Sequence, residues 1–146
     1  MTYAPDWVAP WIGRPFVLGA RGPAAYDCWG LVRAVVLAEY AVDLPSWSEY
    51  STDADRAELA RVAAGGRGGW QEIDEEQAHP GDVVELRVLG QPCHVGLVVA
   101  QGLMLHTLER TGAIVERWHD VRWQRRCVGW FRHPAIAAAR QGAAHV

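Results

Sequence analysis

Three side chains in this sequence could together perform nucleophilic catalysis: the cysteine Cys28 and the histidines His94 and His106. Cys28 follows Asp27 and begins the segment CWGLVRAVVLAEY, whose apolar residues recur at helical spacing. The thiolate is the reactive form of cysteine, and a helix N-terminus or a neighbouring imidazolium lowers the pKa of the thiol. From its position alone, Cys28 could be a nucleophile, a buried apolar residue or a metal ligand.

The two histidines lie twelve positions apart on consecutive predicted strands. In CHVGLVVA (93–100), alternation places His94 and Gly96 on one face, and a turn brings LMLHTL (103–108) back alongside. His106 could then hydrogen-bond to His94, as a third polar group orients the base of an activated nucleophile. We expect the small Gly96 to leave room for the N-terminus of the cysteine-bearing helix.

The elements around these residues change from helical to strand periodicity along the chain. A core helix capped by Asp27 is predicted from the apolar positions 31, 32, 35, 36 and 38. A more polar helix over 53–64 should end at the glycine run 65–69. Five strands are predicted, over 82–88, 93–100, 103–108, 113–118 and 127–133. Helices followed by closely spaced antiparallel strands indicate an α+β fold with the helices packed on one sheet.

The 146 residues fit a single domain spanning 1–146. Residues 1–24 are rich in Pro, Gly and Trp and predict an irregular N-terminal arm. The alanine-rich residues 134–146 predict a C-terminal tail, either a short helix or frayed. The first residues lack the basic and apolar regions of a signal peptide, so we expect synthesis in the cytoplasm without one.

Composition argues against several classes of partner. The net charge of −3 offers no basic surface for nucleic acid or an anionic membrane. The apolar runs are too short to insert in a bilayer. Three separated cysteines without a CxxC pair favour neither a zinc site nor a redox motif, so no metal and no cofactor is predicted. We expect Cys93 and Cys127 to be packing residues and the cluster RWQRR (122–126) to be solvated, while Trp29 and Trp47 could line a groove.

The chemistry-bearing motifs resemble those of the NlpC/P60 cysteine peptidases. DCWGLV resembles the family's nucleophile motif, usually Asp-Cys-Ser-Gly-Leu-Val, and PGDVVEL, HVGLVV and MLHT resemble its second half in the same order. The spacing of twelve between the histidines is also similar, and the resemblance runs from about Phe16 to His106. It implies a papain-like domain in which Cys28 is the nucleophile, His94 the general base and His106 the orienting residue.

The resemblance also implies a substrate and a setting. Trp29 in the motif, the short chain and the segment WIGRPF are similar to tail-associated peptidases of phages and gene-transfer particles. The implied activity is endopeptidase cleavage of the peptidoglycan stem peptide, typically between γ-D-glutamate and the diamino acid. The protein would be assembled into a phage-like tail beside tail or hub proteins. The implied substrate contacts are Phe16, where many relatives have tyrosine, and Tyr26, Asp27 and Trp29.

Two alternative functions stay open from the sequence. The chain could be a structural tail-tip component that keeps the fold without activity, which the missing tyrosine hydroxyl at Phe16 favours. It could also be an NlpC/P60-related amidase, which would cut a different bond with the same nucleophile. The intact set of Cys28, His94 and His106 favours an enzyme over a structural component.

Overall fold

A computed structural model describes residues 3–44, 70–88 and 91–144 of the chain. Several sequence-based expectations lie outside these residues and concern the helix over 53–64, the glycine run 65–69, Trp47 and the side chain of Cys93.

The first helix, α1 (Cys28–Tyr40), begins where the sequence predicts. The Oδ1 atom of Asp27 accepts a hydrogen bond from the Gly30 backbone N–H at 2.7 Å, so Asp27 is the N-cap. Four of the five predicted core positions are buried, which are Leu31, Val32, Val35 and Val36. The prediction was wrong at Ala38, which is exposed in the last turn, because the buried positions of α1 end at Val36.

The strands form one antiparallel sheet in the order β1-β6-β2-β3-β4-β5. Their bounds are Gln71–Ile73 (β1), Val83–Val88 (β2), Gln91–Ala100 (β3), Leu103–Leu108 (β4), Gly112–Arg117 (β5) and Cys127–Arg132 (β6). All five predicted strands are present, with ends shifted by no more than two residues. The sixth, β1, was missed because three residues are too few to show an alternation. The α+β prediction is confirmed.

Strand alternation divides the buried residues between two faces of the sheet. The face that packs against α1, called here the α1 face, carries Val83, Val95, Leu97, Val99 and Leu105. The opposite face, called the far face, carries Val84, Leu86, Val98 and Met104, which pack with Trp118 and Trp123. The register confirms the division, since Val83 pairs with Leu97 and Val98 pairs with Met104.

Gly96 lies on the far face and does not make room for α1, contrary to expectation. A Cβ atom at Gly96 would lie 3.3 Å from both Met104 Cβ and Val84 Cγ1. The absent side chain therefore accommodates Met104 of the neighbouring strand. The expectation failed because the helix packs on the Val95 side of β3, one residue out of phase with Gly96.

The N-terminal arm is more ordered than predicted and docks along β5. It contains a 3-10 helix, Asp6–Trp11, and then runs beside the sheet edge. The Gly13 N–H donates to Ala113 O at 2.8 Å, and the Ala113 N–H donates to Arg14 O at 2.9 Å. Gly112 adopts a φ of +70°, and a Cβ there would lie 2.6 Å from Arg14 O, so glycine is needed for this contact.

The C-terminal tail forms a helix, α2 (Pro134–Ala144), which selects one of the two predicted forms. Pro134 occupies the first helical position, where its missing N–H costs nothing. His133 Nδ1 accepts a hydrogen bond from the Ala135 N–H at 3.1 Å and so caps the first turn. None of the helices in the described part of the chain is long and apolar enough to cross a membrane.

Candidate active site

Cys28 is the first residue of α1 and lies at the positive end of the helix dipole. Its sulfur is a thiol rather than part of a disulfide, and the residue is 2% exposed. The preceding Asp27 is fixed twice, since its Oδ2 atom also pairs with the Arg21 guanidinium. The nucleophile position predicted from the sequence therefore lies in a helical turn that is capped by a doubly held aspartate.

Gly30, the glycine of the DCWG motif, leaves the space in which the N-terminal arm packs against α1. A Cβ atom at Gly30 would lie 2.5 Å from Ala20 O and 3.3 Å from Arg21 Cα. The Ala20 carbonyl also accepts a hydrogen bond from the Asp27 N–H at 2.9 Å. The arm therefore lies directly against the turn that carries Cys28, and any larger residue at position 30 would push it away.

His94 on β3 and His106 on β4 are joined by a hydrogen bond, in agreement with the predicted strand parity. His94 Nε2 lies 2.8 Å from His106 Nδ1, and both rings are buried on the far face. Val95, the residue after His94, belongs to the same apolar cluster as Cys28. Strand β3 therefore carries His94 on the far face and, at the next residue, a side chain that packs in the cluster of Cys28.

His106 is held on its other side by Glu116 of β5. His106 Nε2 lies 2.8 Å from Glu116 Oε1, and Glu116 Oε2 pairs with the Arg122 guanidinium. Burial, together with the positive charge of Arg122, lowers the pKa of His106 to about 4. His106 is therefore neutral near pH 7, and both of its ring nitrogens have a partner.

Trp123 covers the two histidines. Its ring stacks on His94 with centroids 5.9 Å apart and meets the edge of His106 at 5.1 Å. Trp123 is itself buried, so it shields the hydrogen bond between the two rings from water. The expectation that residues 122–126 are solvated was therefore wrong at Trp123, and Arg122 contacts the site, because a turn after β5 folds this segment over the far face.

Sequence reasoning missed Glu116, although the sequence contained a signal for it. In the predicted strand over 113–118, Glu116 shares a face with Ile114 and Trp118. A glutamate in such an apolar setting indicates a buried polar partner. Trp123 had no comparable signal, since the side-chain direction of a loop residue does not follow a simple period.

The predicted substrate contacts occupy different environments. Phe16 is half-buried and forms a backbone bridge with Tyr26. Tyr26 is buried, and its hydroxyl accepts a hydrogen bond of 3.4 Å from Arg14. Trp29 is 2% exposed and packs against Trp70, with ring centroids 6.4 Å apart. Trp29 is thus a packing residue next to Cys28 in α1. Substrate contact by Phe16, Tyr26, Asp27 and Trp29 stays a prediction.

The side chains of Cys28, His94 and His106 can supply acid–base and nucleophilic chemistry by themselves. No group of three histidine, cysteine or acidic residues able to hold a metal occurs among residues 3–44, 70–88 and 91–144. A thiol at a helix N-terminus and an imidazole oriented by a second imidazole are the components of nucleophilic catalysis by cysteine.

Comparison with known proteins agrees with this geometry. The sequence model of the NlpC/P60 family matches residues 13–132, which include Cys28, His94 and His106. The chain belongs to the NlpC/P60 family. It is 27% identical over 123 residues to a probable endopeptidase p60 of Listeria grayi, and 30% identical over 149 residues to tail tip assembly protein K of Escherichia phage N15.

The matched regions cover most of this chain but only part of those relatives. The alignment with the Listeria grayi protein spans 83% of this chain and 20% of that protein. The alignment with the phage N15 protein spans 86% of this chain and 56% of that protein. The NlpC/P60 chain described here therefore corresponds to one region of larger relatives.

Solved structures share the fold of this NlpC/P60 chain. The NlpC/p60 domain of the peptidoglycan hydrolase SagA superimposes with a TM-score of 0.58 at 22% identity, covering 86% of this chain and 92% of that one. An NlpC/P60 family protein from Bacillus cereus gives a TM-score of 0.64 at 16% identity, covering 84% of this chain and 36% of that one. At these identities the likeness establishes the fold.

Proposed function

We propose that this chain is a cysteine endopeptidase that cleaves peptidoglycan stem peptides, with Cys28 as nucleophile, His94 as general base and His106 as orienting residue. The observation that carries the proposal is the hydrogen bond between His94 and His106 in a chain whose Cys28 begins a helix. Family membership supports it, because the motif residues of the nucleophile and both histidines lie within the matched region.

The mechanism is acyl transfer. The Cys28 thiolate attacks the carbonyl carbon of the scissile amide, and the Cys28 backbone N–H at the start of α1 donates to the developing oxyanion. His94 takes the thiol proton and delivers it to the leaving amine, which departs as the acyl-enzyme forms. His94 then removes a proton from water, whose oxygen attacks the thioester and releases Cys28.

The proposed setting is a phage-like tail that opens the cell wall locally. The similarity to a tail tip assembly protein and to probable p60 endopeptidases supports this combination of carrier and activity. Tail or hub proteins would be its partners, in a phage particle or a gene-transfer agent. The scissile bond we propose is the one between γ-D-glutamate and the diamino acid.

The test uses purified murein and two matched cysteine variants. The wild-type protein should release stem-peptide fragments, and Cys28→Ser should reduce the release by at least about 100-fold because a serine hydroxyl is a much weaker nucleophile than a thiolate. Cys127→Ser serves as control, since this thiol lies on β6 with its pKa raised to about 11 by burial and by Glu75. Equal activity of Cys28→Ser and wild type would overturn the proposal.

Mass spectrometry of the fragments identifies the bond that is cut. New termini at γ-D-glutamate and at the amine of the diamino acid support the proposed endopeptidase. A free lactyl group with an intact stem peptide would instead make the protein an amidase.

A structural role in the tail tip is the second candidate. It is favoured by the similarity to a protein whose name describes tail tip assembly, and by the 2% exposure of Cys28 beside the docked arm. No fragment release from murein of any chemotype, by a folded wild-type protein, would favour this role over the peptidase.

A further inference from the structure

We propose that Glu116 and Arg122 form a positioning pair that sets the direction of the hydrogen bonds through His106 and thereby determines which nitrogen of His94 is basic. This inference rests on the proposed function and adds to it two residues that act through His106. Neither residue is placed against substrate. Their contribution would be to select one of the two neutral tautomers of His94.

The direction follows from which groups can donate. A guanidinium has only donors, so Arg122 requires an acceptor at Glu116 Oε2. The ionised carboxylate accepts at both oxygens, and His106 must therefore donate from Nε2 to Glu116 Oε1 across 2.8 Å. A neutral imidazole carries one N–H, which leaves His106 Nδ1 as an acceptor.

The same constraint passes to His94. Because His106 Nδ1 accepts, the proton between the two rings, 2.8 Å apart, belongs to His94 Nε2. A neutral His94 with its proton on Nε2 has its lone pair on Nδ1. Nδ1 is then the atom that removes the proton of the Cys28 thiol, and the resulting imidazolium still donates to His106.

Because these groups are buried, the direction of their hydrogen bonds determines the protonation of His94. His94, His106 and Glu116 are all buried, and Trp123 covers both rings, so water cannot substitute for a wrongly directed partner. In the described part of the chain, the charged groups that face His106 are Glu116 of β5 and, beyond it, Arg122, which also contacts Asp120. The lowered pKa of His106 is consistent with a ring that has a single proton.

The substitution Glu116→Gln should reverse the hydrogen bonds. An amide has one accepting oxygen and one donating NH₂ group, and Arg122 requires the oxygen. The NH₂ group then faces His106 Nε2, which must accept, so His106 donates from Nδ1 to His94 Nε2. A neutral His94 in this variant carries its proton on Nδ1 and has no lone pair for the thiol.

The experiment is ¹⁵N NMR of the histidine rings, which distinguishes protonated from unprotonated nitrogens, together with murein hydrolysis. In the wild type, the shared proton should be on His94 Nε2, and in Glu116→Gln it should be on His106 Nδ1. Hydrolysis by Glu116→Gln should fall by at least about 100-fold, as expected for a base in the wrong tautomer. The double variant Glu116→Gln/Arg122→Ala frees the amide to rotate and should recover about tenfold of the loss.

Arg125→Ala is the control and should keep hydrolysis within a few-fold of the wild type, because this exposed arginine lies in the same turn and does not pair with Glu116. Unchanged protonation of His94 and His106 in Glu116→Gln would overturn the inference, as would a double variant no more active than Glu116→Gln. The NMR result does not depend on substrate. Wild-type protein that shows the expected tautomers but no hydrolysis would contradict the proposed peptidase and leave the positioning pair supported.

Discussion

The two faces of the sheet each bury a glutamate, and they treat it in opposite ways. Glu85 on the α1 face is 5% exposed and has no hydrogen-bond partner for Oε2, whereas Glu116 on the far face is 8% exposed and is bonded at both oxygens. Desolvation, with the neighbouring Glu72 carboxylate, raises the pKa of Glu85 to about 7. Burial alone therefore does not distinguish the two glutamates, whereas their hydrogen-bond partners do.

The same contrast extends to the rest of each face. The α1 face is an apolar layer beneath the helix that carries Cys28. The far face includes two histidines, a glutamate and a tryptophan in mutual contact. One face thus packs beneath the helix of Cys28, and the other holds His94 and His106 by hydrogen bonds. Substitutions on the two faces should separate loss of stability from loss of activity.

The largest effect is expected on the far face, from His106→Ala. Removal of the ring leaves His94 Nε2 without its acceptor, and murein hydrolysis should fall by about 10²–10⁴-fold. The measurement is the rate of fragment release at equal amounts of folded protein, checked by circular dichroism. Thr107→Val is the matched control because Thr107 is the next residue on β4, faces the other side and has an unpartnered hydroxyl. Equal loss of activity in both variants would contradict the division between the faces.

The next effect is expected on the α1 face, from Leu97→Ala. Leu97 is fully buried and pairs with Val83 and Leu105, so truncation should lower the free energy of unfolding by about 2–5 kcal/mol. Urea denaturation measures this loss, while hydrolysis per folded molecule should be retained. Leu37→Ala on the exposed side of α1 should change stability by no more than about 0.5 kcal/mol. A fall in hydrolysis without a fall in stability would show that Leu97 belongs to the catalytic machinery.

The smallest effect concerns Glu85 and depends on pH. Its pKa is about 7 in the folded protein and 4.5 ordinarily, so the folded state holds the proton more tightly. The stability contributed by protonated Glu85 is complete below pH 4.5 and is lost as pH rises to 7. Glu85→Gln does not titrate, so at pH 8 it should be more stable than the wild type by about 2 kcal/mol, with little difference at pH 4.5. Urea midpoints at both pH values measure this, and an equal difference at both would refute the raised pKa.

Much of this architecture could be predicted from the sequence because apolar residues recur at the spacing of a helix or of a strand. The helix from Cys28 and the strands that carry His94 and His106 each show a repeat, and strand parity alone brings the two histidines together. The N-cap role of Asp27 follows from its position before an apolar stripe.

The parts that could not be predicted depend on contacts without a period. The face of the sheet on which α1 packs was assigned wrongly from Gly96, because a glycine accommodates whichever neighbour is larger, here Met104. Trp123 was wrongly expected to be solvated. Its position over His94 depends on the path of a turn, which no sequence pattern predicts. Strand β1 is held by pairing with β6 and has too few residues for a pattern.

The docked N-terminal arm restricts the length of the segment between residues 14 and 20. Its backbone is hydrogen-bonded to Ala113 at residues 13 and 14, on the strand that carries Glu116, and contacts Asp27 and Gly30 at residue 20. One short segment thus spans from the edge strand β5 to the start of α1. Surface loops usually tolerate insertions. In this protein the number of residues between 14 and 20 limits the distance between β5 and the start of α1. An insertion there should therefore allow the two elements to move apart.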